Sequence, residues 1–191
     1  MEHNDYVITG AGMQLTRLVA QALEREFHME KGQIGMGVPG EDHNLAVCIY
    51  LYDIRKNPDI HLPQMIPVSA TQLKYPSNYY NLYFMLVPYS YSDRKYRMEE
   101  ELKLMDVLLQ VLGDIHHLEK TGGGETEVDL EIYDMDLDAK AKIWTGLNKP
   151  MRMAVYCKAG PVEIQSARTK QVKRVTDIRM DFSQVEGQGN N

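Results

Sequence analysis

The sequence predicts an α/β fold of the α+β kind, in which a mostly antiparallel sheet is covered by two longer helices and one short helix. Apolar residues recur at intervals of three and four over residues 13–29 and 93–113, which is typical of helices with one buried face. Two near-continuous apolar runs, 45–54 and 79–88, are typical of strands buried on both faces. Residues 126–166 then combine strand-like and helix-like patterns in one unit.

Composition indicates one acidic globular domain spanning residues 1–191. Of the 191 residues, 43% are hydrophobic and 25% charged, which is ordinary globular usage and enough to bury a core. The formal net charge of -6 argues against nucleic acid as a main partner, because phosphate binding needs a basic surface. With no signal peptide and no apolar run near ~18 residues, we expect a soluble, intracellular protein without a membrane partner.

The N-terminal part predicts a lead-in, a helix and a loop. Residues 1–12 are polar and contain glycine, and a helix is predicted over 13–29. Residues 32–44 carry four glycines and a proline, so we expect a loop without regular structure. Cys48 and Cys157 both fall in apolar strand patterns, where buried free thiols are expected, although a disulfide stays possible.

The middle of the chain predicts paired strands and the longest helix. The strand over 45–54 ends near Asn57-Pro58, and the proline-rich residues 56–67 predict an exposed extended excursion. Further strands are predicted over 69–75 and 79–88. In the helix over 93–113, the residues predicted to face the sheet are Met98, Leu102, Met105, Leu108, Leu109 and Leu112.

Residues 126–166 predict the order strand, helix, strand, strand. Apolar and acidic residues alternate through 128–132, and a helix over 137–147 follows three aspartates that suit its N-terminus, Asp134, Asp136 and Asp138. Alternation over 151–157 predicts another strand, which we expect to end at a Gly160-Pro161 turn before a third. Trp144, the only tryptophan, is expected to anchor the core, with an interface role as the alternative.

This unit also carries a family resemblance, in a helix with tryptophan and leucine, a proline-containing turn and a strand with tyrosine. The four positions are Trp144, Leu147, Pro150 and Tyr156. They resemble the tail-terminator or cap family of contractile injection systems, phage-tail-like particles that include the Photorhabdus virulence cassettes and the antifeeding prophage. The resemblance extends loosely over residues 13–168 and leaves an extended C-terminal arm, 168–191, whose last residues we expect to be disordered.

The resemblance implies a phage tail-terminator-like fold and a structural role. It implies a homohexameric ring that ends the inner tube and sheath, with the protein itself and the tube and sheath subunits as partners. It also implies assembly in the cytoplasm and a particle that is released from the cell. No cofactor and no enzymatic activity are expected. A phage tail-completion subunit would share the ring, and it stays open as an alternative.

Two groups of residues are candidate interface positions. Rigid amphipathic tyrosines are enriched at protein interfaces, and the sequence clusters them around Tyr79, Tyr80 and Tyr91. A sheet flank with one wet side would use tyrosine equally well, so both interpretations stay open. The basic cluster in the arm is Arg168, Lys170, Lys173 and Arg174, and we expect the segment 168–182 to pair with a neighbouring sheet.

One rival pattern would suit a small nucleotide-binding protein. Gly10 and Gly12 follow a strand-like run and precede a helix, as in a dinucleotide-binding turn. Leu15 occupies the place of the third small residue, and the next apolar strand ends near Asp53, much further on than the ~20 residues expected for a ribose-binding acid. Neither the histidines nor the aspartates have metal-ligand spacing. The sequence therefore favours a structural protein over a ligand-binding one.

Overall fold

A computed structural model describes most of the chain, as two compact units. The described residues are 6–29, 31–41, 44–60, 64–119 and 127–172. The main unit comprises residues 1–62 and 77–165, and the small unit comprises 63–76 and 166–191. Each unit is described by itself below.

Within the described residues, the main unit contains three helices and six strands. The helices are α1 (Val7–Phe27), α2 (Arg97–Asp114) and α3 (Leu137–Gly146). In chain order over both units, the strands are β1 (Ile34–Met36), β2 (Val47–Lys56), β3 (Ile66–Ser69), β4 (Gln72–Lys74), β5 (Asn78–Pro88), β6 (His117–Leu118), β7 (Val128–Ile132), β8 (Val155–Ile164) and β9 (Thr169–Gln171).

The sheet of the main unit has the strand order β1-β2-β5-β8-β7-β6. Only β1 and β2 run parallel, and every other neighbouring pair in this sheet is antiparallel. The prediction of a mostly antiparallel sheet with three helices is therefore confirmed. The long strands β2, β5 and β8 lie side by side at its centre, as their apolar sequences require.

Helices α1 and α2 cover one face of this sheet. Leu15, Val19 and Leu23 of α1 are fully buried against alternate residues of the central strands, such as Phe84 and Leu86. Spacings of four along a helix and two along a strand bring these side chains into one layer. This layer is the larger hydrophobic core of the protein.

The prediction of which α2 residues face the sheet is only partly correct. Leu108 and Leu112 are buried as expected, but Met98, Leu102 and Leu109 are exposed. The buried row runs instead through Glu101, Leu104, Leu108 and Leu112. An acidic residue at a core position concealed this row, because a charged side chain is buried only when it is paired.

The predicted start of the first helix is wrong. Helix α1 begins at Val7 and not at residue 13, so Gly10 and Gly12 lie inside it. A Cβ atom on Gly12 would come within 2.6 Å of the sulfur of Met36, so glycine here permits close packing of α1 on β1. That same β1, with a short 3₁₀ turn at Lys31–Gln33, lies in the segment that was predicted to have no regular structure.

Three further strand predictions change in the structure. The single strand predicted over 69–75 is not formed. This region contains the end of β3 and all of β4, which pair as a hairpin. Residues 151–154 precede β8 and have no regular structure. The Gly160-Pro161 bond is cis and lies within β8, so it does not turn the chain. A Cβ on Gly160 would approach Asn81 Cα to 3.1 Å, so the close approach of β8 to its neighbour β5 at this point requires glycine.

Helix α3 covers part of the opposite sheet face. Asp136 caps the helix by accepting a hydrogen bond from the Ala139 N–H at 2.7 Å, which confirms the capping prediction. Trp144, 1% exposed, packs against Met85 and Tyr156, and its Nε1–H donates to the Tyr156 hydroxyl at 3.2 Å. Trp144 is therefore a core anchor, as predicted, and its one polar atom is satisfied inside the core.

The small unit contains a three-stranded sheet with the order β3-β4-β9, and both pairs are antiparallel. Its apolar side chains on β3, Ile66 and Val68, are exposed. Residues 173–191, which include the tail residues predicted to be disordered, lie outside the described residues. The two cysteines, in the main unit, are buried and are not joined in a disulfide, as predicted.

The contact between Trp144 and Tyr156 predicts the effect of removing one hydroxyl. Tyr156→Phe keeps the ring but leaves the buried Trp144 N–H without its acceptor, which should lower the free energy of unfolding by about 1–3 kcal/mol. Urea denaturation followed by the fluorescence of the single tryptophan measures this.

Tyr91→Phe is the matched control for that substitution. The Tyr91 hydroxyl donates to the Leu45 carbonyl at 3.0 Å from an exposed residue, so its loss should cost about 0.5 kcal/mol or less. An equal decrease in the free energy of unfolding for the two variants would show that the hydrogen bond from Trp144 to Tyr156 does not stabilise the packing of α3 more than a surface hydrogen bond would.

Candidate functional site

Three of the four residues that carried the family resemblance meet under α3. Trp144 and Tyr156 are buried together, and half-buried Leu147 packs against the same cluster. Pro150 is exposed and lies apart from the cluster, in the irregular segment that leads into β8. Trp144, Leu147 and Tyr156 therefore position α3 on the sheet, and the buried Trp144 and Tyr156 are not available to bind a partner.

The tyrosines that were predicted as interface residues do not form one surface. Tyr79 and Tyr80 are half-buried at the start of β5, whereas Tyr91 is exposed beyond its other end. At ~3.3 Å per residue, the eight steps along the strand from Tyr80 to Pro88 alone separate these ends by roughly 26 Å. We keep them as separate interface candidates.

A different set of tyrosines clusters on the sheet face beside α3, and the sequence analysis did not find it. Tyr52 lies with its ring centroid 6.2 Å from that of Tyr83 and 5.9 Å from that of Tyr156. Tyr133 lies 5.2 Å from Tyr83, and the Arg55 guanidinium lies over the Tyr83 ring at 4.9 Å. Their shared face follows from the register of β2, β5 and β8, which only strand pairing reveals.

Burial changes the acidity of several groups in this part of the sheet. Loss of solvent raises the pKa of Tyr89 to about 12 and raises the pKa of Tyr52 further still. Burial also raises the pKa of the Cys157 thiol to about 12. These groups therefore stay neutral at physiological pH, and the Cys157 thiol is not an activated nucleophile.

The basic residues of the arm belong to the small unit. The Arg168 guanidinium lies over the Tyr75 ring at 4.3 Å, and the Tyr75 N–H donates to the Arg168 carbonyl at 3.0 Å. Lys170 is exposed in β9, where it pairs with Leu73 of β4. Lys173 and Arg174 lie outside the described residues.

A surface groove lies at the N-terminal end of α2 in the main unit. It has a volume of about 660 Å³, and its lining residues are Arg94, Arg97, Met98, Glu101, Met151, Arg152 and Met153. Met98, Met151 and Met153 are all exposed. We call it the methionine groove. The sequence pattern does not reveal this groove, because its three methionines fall at positions typical of buried helix and strand faces.

The rival nucleotide-binding interpretation has lost its structural basis. Gly10 and Gly12 lie within α1, so the glycine turn before a helix that this interpretation requires is not formed. Across the described residues, no group of three or more histidine, cysteine, aspartate or glutamate side chains could hold a metal ion. In the same part of the chain, no helix is long and apolar enough to cross a membrane.

Comparison with known structures shows two proteins with the same fold. One is the sheath/tube terminator of the PVC extracellular contractile injection system in its extended state, with a TM-score of 0.62 and 13% identity over 93% of this chain and 65% of that one. The other is the tube-terminating cap of the anti-feeding prophage, with a TM-score of 0.61 and 14% identity over 90% of this chain and 60% of that one. The chain thus spans just under two thirds of the length of each.

Comparison with known sequences identifies the family. No curated protein sequence matches the chain. A family model described as the Pvc16 N-terminal domain matches residues 12–177, which is well over half of the chain, and the resemblance inferred from the α3 unit is thereby confirmed. The protein belongs to the family of the Pvc16 N-terminal domain.

Proposed function

We propose that the protein is a structural subunit that ends the inner tube and sheath of a contractile injection system. The observation that carries this proposal is the shared fold, over 93% and 90% of the chain, with a sheath/tube terminator and a tube-terminating cap. Both belong to injection systems, which favours this class over a phage tail-completion subunit. The partners are then the tube and sheath subunits.

The role is not catalytic in this proposal. The charged side chains of the sheet face beside α3 engage one another, as in the ion pair of Lys158 Nζ with Glu131 Oε1 at 2.6 Å. The buried thiols are unsuited to nucleophilic chemistry, as the raised pKa of Cys157 illustrates. Exposed surfaces therefore carry the function, and the sheet holds them in place.

We further propose that the protein acts as a ring, with six copies as the expected number. A ring requires two different complementary surfaces on each subunit, related by a rotation that closes. Assembly would take place in the cytoplasm, and the protein would leave the cell as part of the released particle.

The arm contributes a further contact in this proposal. We retain the hypothesis that the segment 168–182 pairs with a sheet of a neighbouring subunit. In the described residues, β9 already pairs with β4 of its own chain, so the arm is anchored at Thr169–Gln171 before it reaches a neighbour. The residues that follow the anchor would then make the contact.

The proposed function predicts that the protein stops the growth of tubes. Tube subunits of the same system, polymerised with this protein present, should give shorter tubes with a particle at one end in negative-stain images. Tubes of unchanged length with bare ends would contradict the proposal.

A truncation in the same experiment tests the arm. A chain ending at residue 172 keeps β9 and should unfold at the same urea concentration as the full chain, yet fail to shorten the tubes. If the truncated chain shortens tubes as well as the full chain does, the arm is not needed for capping.

A further inference from the structure

The methionine groove combines an apolar floor with a positively charged rim. Met98, 60% exposed, faces Met151 and Met153 across it. Arg94 and Arg97 contribute positive charge to the rim beside the start of α2. Methionine side chains are flexible and polarisable, which suits a surface that must accommodate a foreign apolar side chain.

An internal ion pair shapes this groove in advance. Buried Glu101 accepts hydrogen bonds from the Arg152 guanidinium and from the Ser90 N–H at 3.3 Å. The same guanidinium lies over the Tyr89 ring at 4.8 Å. Because these contacts fix α2 against the segment before β8, the two walls of the groove are held in place before any partner binds.

The opposite combination occurs at the start of α3. Leu137, the first residue of the helix, is 70% exposed, and Asp134, Asp136 and Asp138 surround it in sequence. Residues 127–138 contain six acidic residues and no basic one. We call residues 134–138 the acidic knob. Its exposed apolar side chain has three aspartates around it, of which Asp138 also pairs with Lys142 of the same helix.

We propose that the acidic knob of one copy of this chain inserts into the methionine groove of the next copy. Charge complementarity carries the choice of partner, because the knob offers aspartates around one leucine, and the groove offers arginines around three methionines. Both surfaces are exposed within one chain, so a chain does not fill its own groove. The inference rests on the proposed ring function and names the contact that builds it.

The two surfaces are different patches of the same subunit. Such a contact is heterologous, so each copy uses its knob on one neighbour and its groove on the other. An isologous dimer would instead bury the same patch on both copies. This difference allows the arrangement to be tested by mixing variants.

Charge reversal of each surface gives the first test. The groove variant carries Arg94→Glu and Arg97→Glu, and a glutamate at position 97 suits the N-terminus of α2, so folding should be kept. The knob variant carries Asp134→Lys and Asp138→Lys and retains the Asp136 cap. Because Asp138→Lys also removes the ion pair with Lys142, urea denaturation checks that both variants are folded. Light scattering measures the mass of each variant alone and of an equal mixture.

We expect the wild-type chain to give a species of about six times its 21.9 kDa mass, and each variant alone to give monomers. The equal mixture should restore rings, because the reversed groove then meets the reversed knob, and each wild-type groove still meets a wild-type knob. Rings from either variant alone, or monomers in the mixture where the wild type forms rings, would overturn the inference.

Cross-linking tests the same contact if the wild-type ring forms only on a tube end. In a chain with Leu137→Cys and Met98→Cys, a short bismaleimide at high protein concentration should produce a ladder of dimers, trimers and larger species. The variant with Leu137→Cys alone should give no ladder, and the wild-type chain should not react, because Cys48 and Cys157 are buried.

Absence of the ladder from the double-cysteine chain would overturn the inference. That outcome is separate from failure of the proposed function, which tube length measures. A chain that shortens tubes but yields no ladder is a cap with a different subunit contact. A chain that yields the ladder but leaves tubes unchanged forms the contact without being a cap.

Discussion

The fold depends on burying strand β5 from both sides. Every residue from Asn81 to Pro88 is buried, so apolar side chains point into both sheet faces and each face needs a cover. Helices α1 and α2 supply one cover, and α3 supplies the other through Trp144. The hydrogen bond from Trp144 to Tyr156 matters here because a buried indole N–H without an acceptor would oppose this packing.

The unequal covers determine which surfaces remain outside. Helix α3 has ten residues and covers less of the sheet than α1 and α2, which have 21 and 18 residues. Tyrosines and ion pairs cover the sheet beside α3. Arg55, for example, pairs with Asp53 at 2.6 Å and lies over the Tyr83 ring. Among the exposed apolar residues, Met98 lies near the beginning of α2 and Leu137 at the beginning of α3.

The parts of the fold with strong periodicity could be predicted from the sequence. The strand predicted over 79–88 is observed as Asn78–Pro88, and the short helix predicted over 137–147 is observed as Leu137–Gly146. The strand carries a near-continuous apolar run, and the helix begins after aspartates that suit a helix N-terminus. Glycine and proline predicted turns at two places where tertiary contacts determine the local structure instead. Gly12 lies inside a helix and packs on Met36, and Pro161 lies within β8 near a shift in its register with β5.

The candidate surfaces were mostly beyond prediction. The methionine groove joins the start of α2 to a segment more than 50 residues later, and Met151 and Met153 alternate as buried strand residues would. Glu101 lies in the buried row of α2, where it pairs with Arg152. This orientation of the helix leaves Met98 exposed. The acidic knob was visible in the sequence, but its aspartates were accounted for as helix caps.

The central claim is that a rigid two-faced sheet presents separate surfaces for assembly, and hydrogen exchange tests it most directly. Exchange would be compared between the free protein and the protein bound at tube ends. The account predicts slower exchange in residues 94–98, 134–138 and 150–153, with β5 unchanged. Equal exchange in those three segments in both states would contradict it.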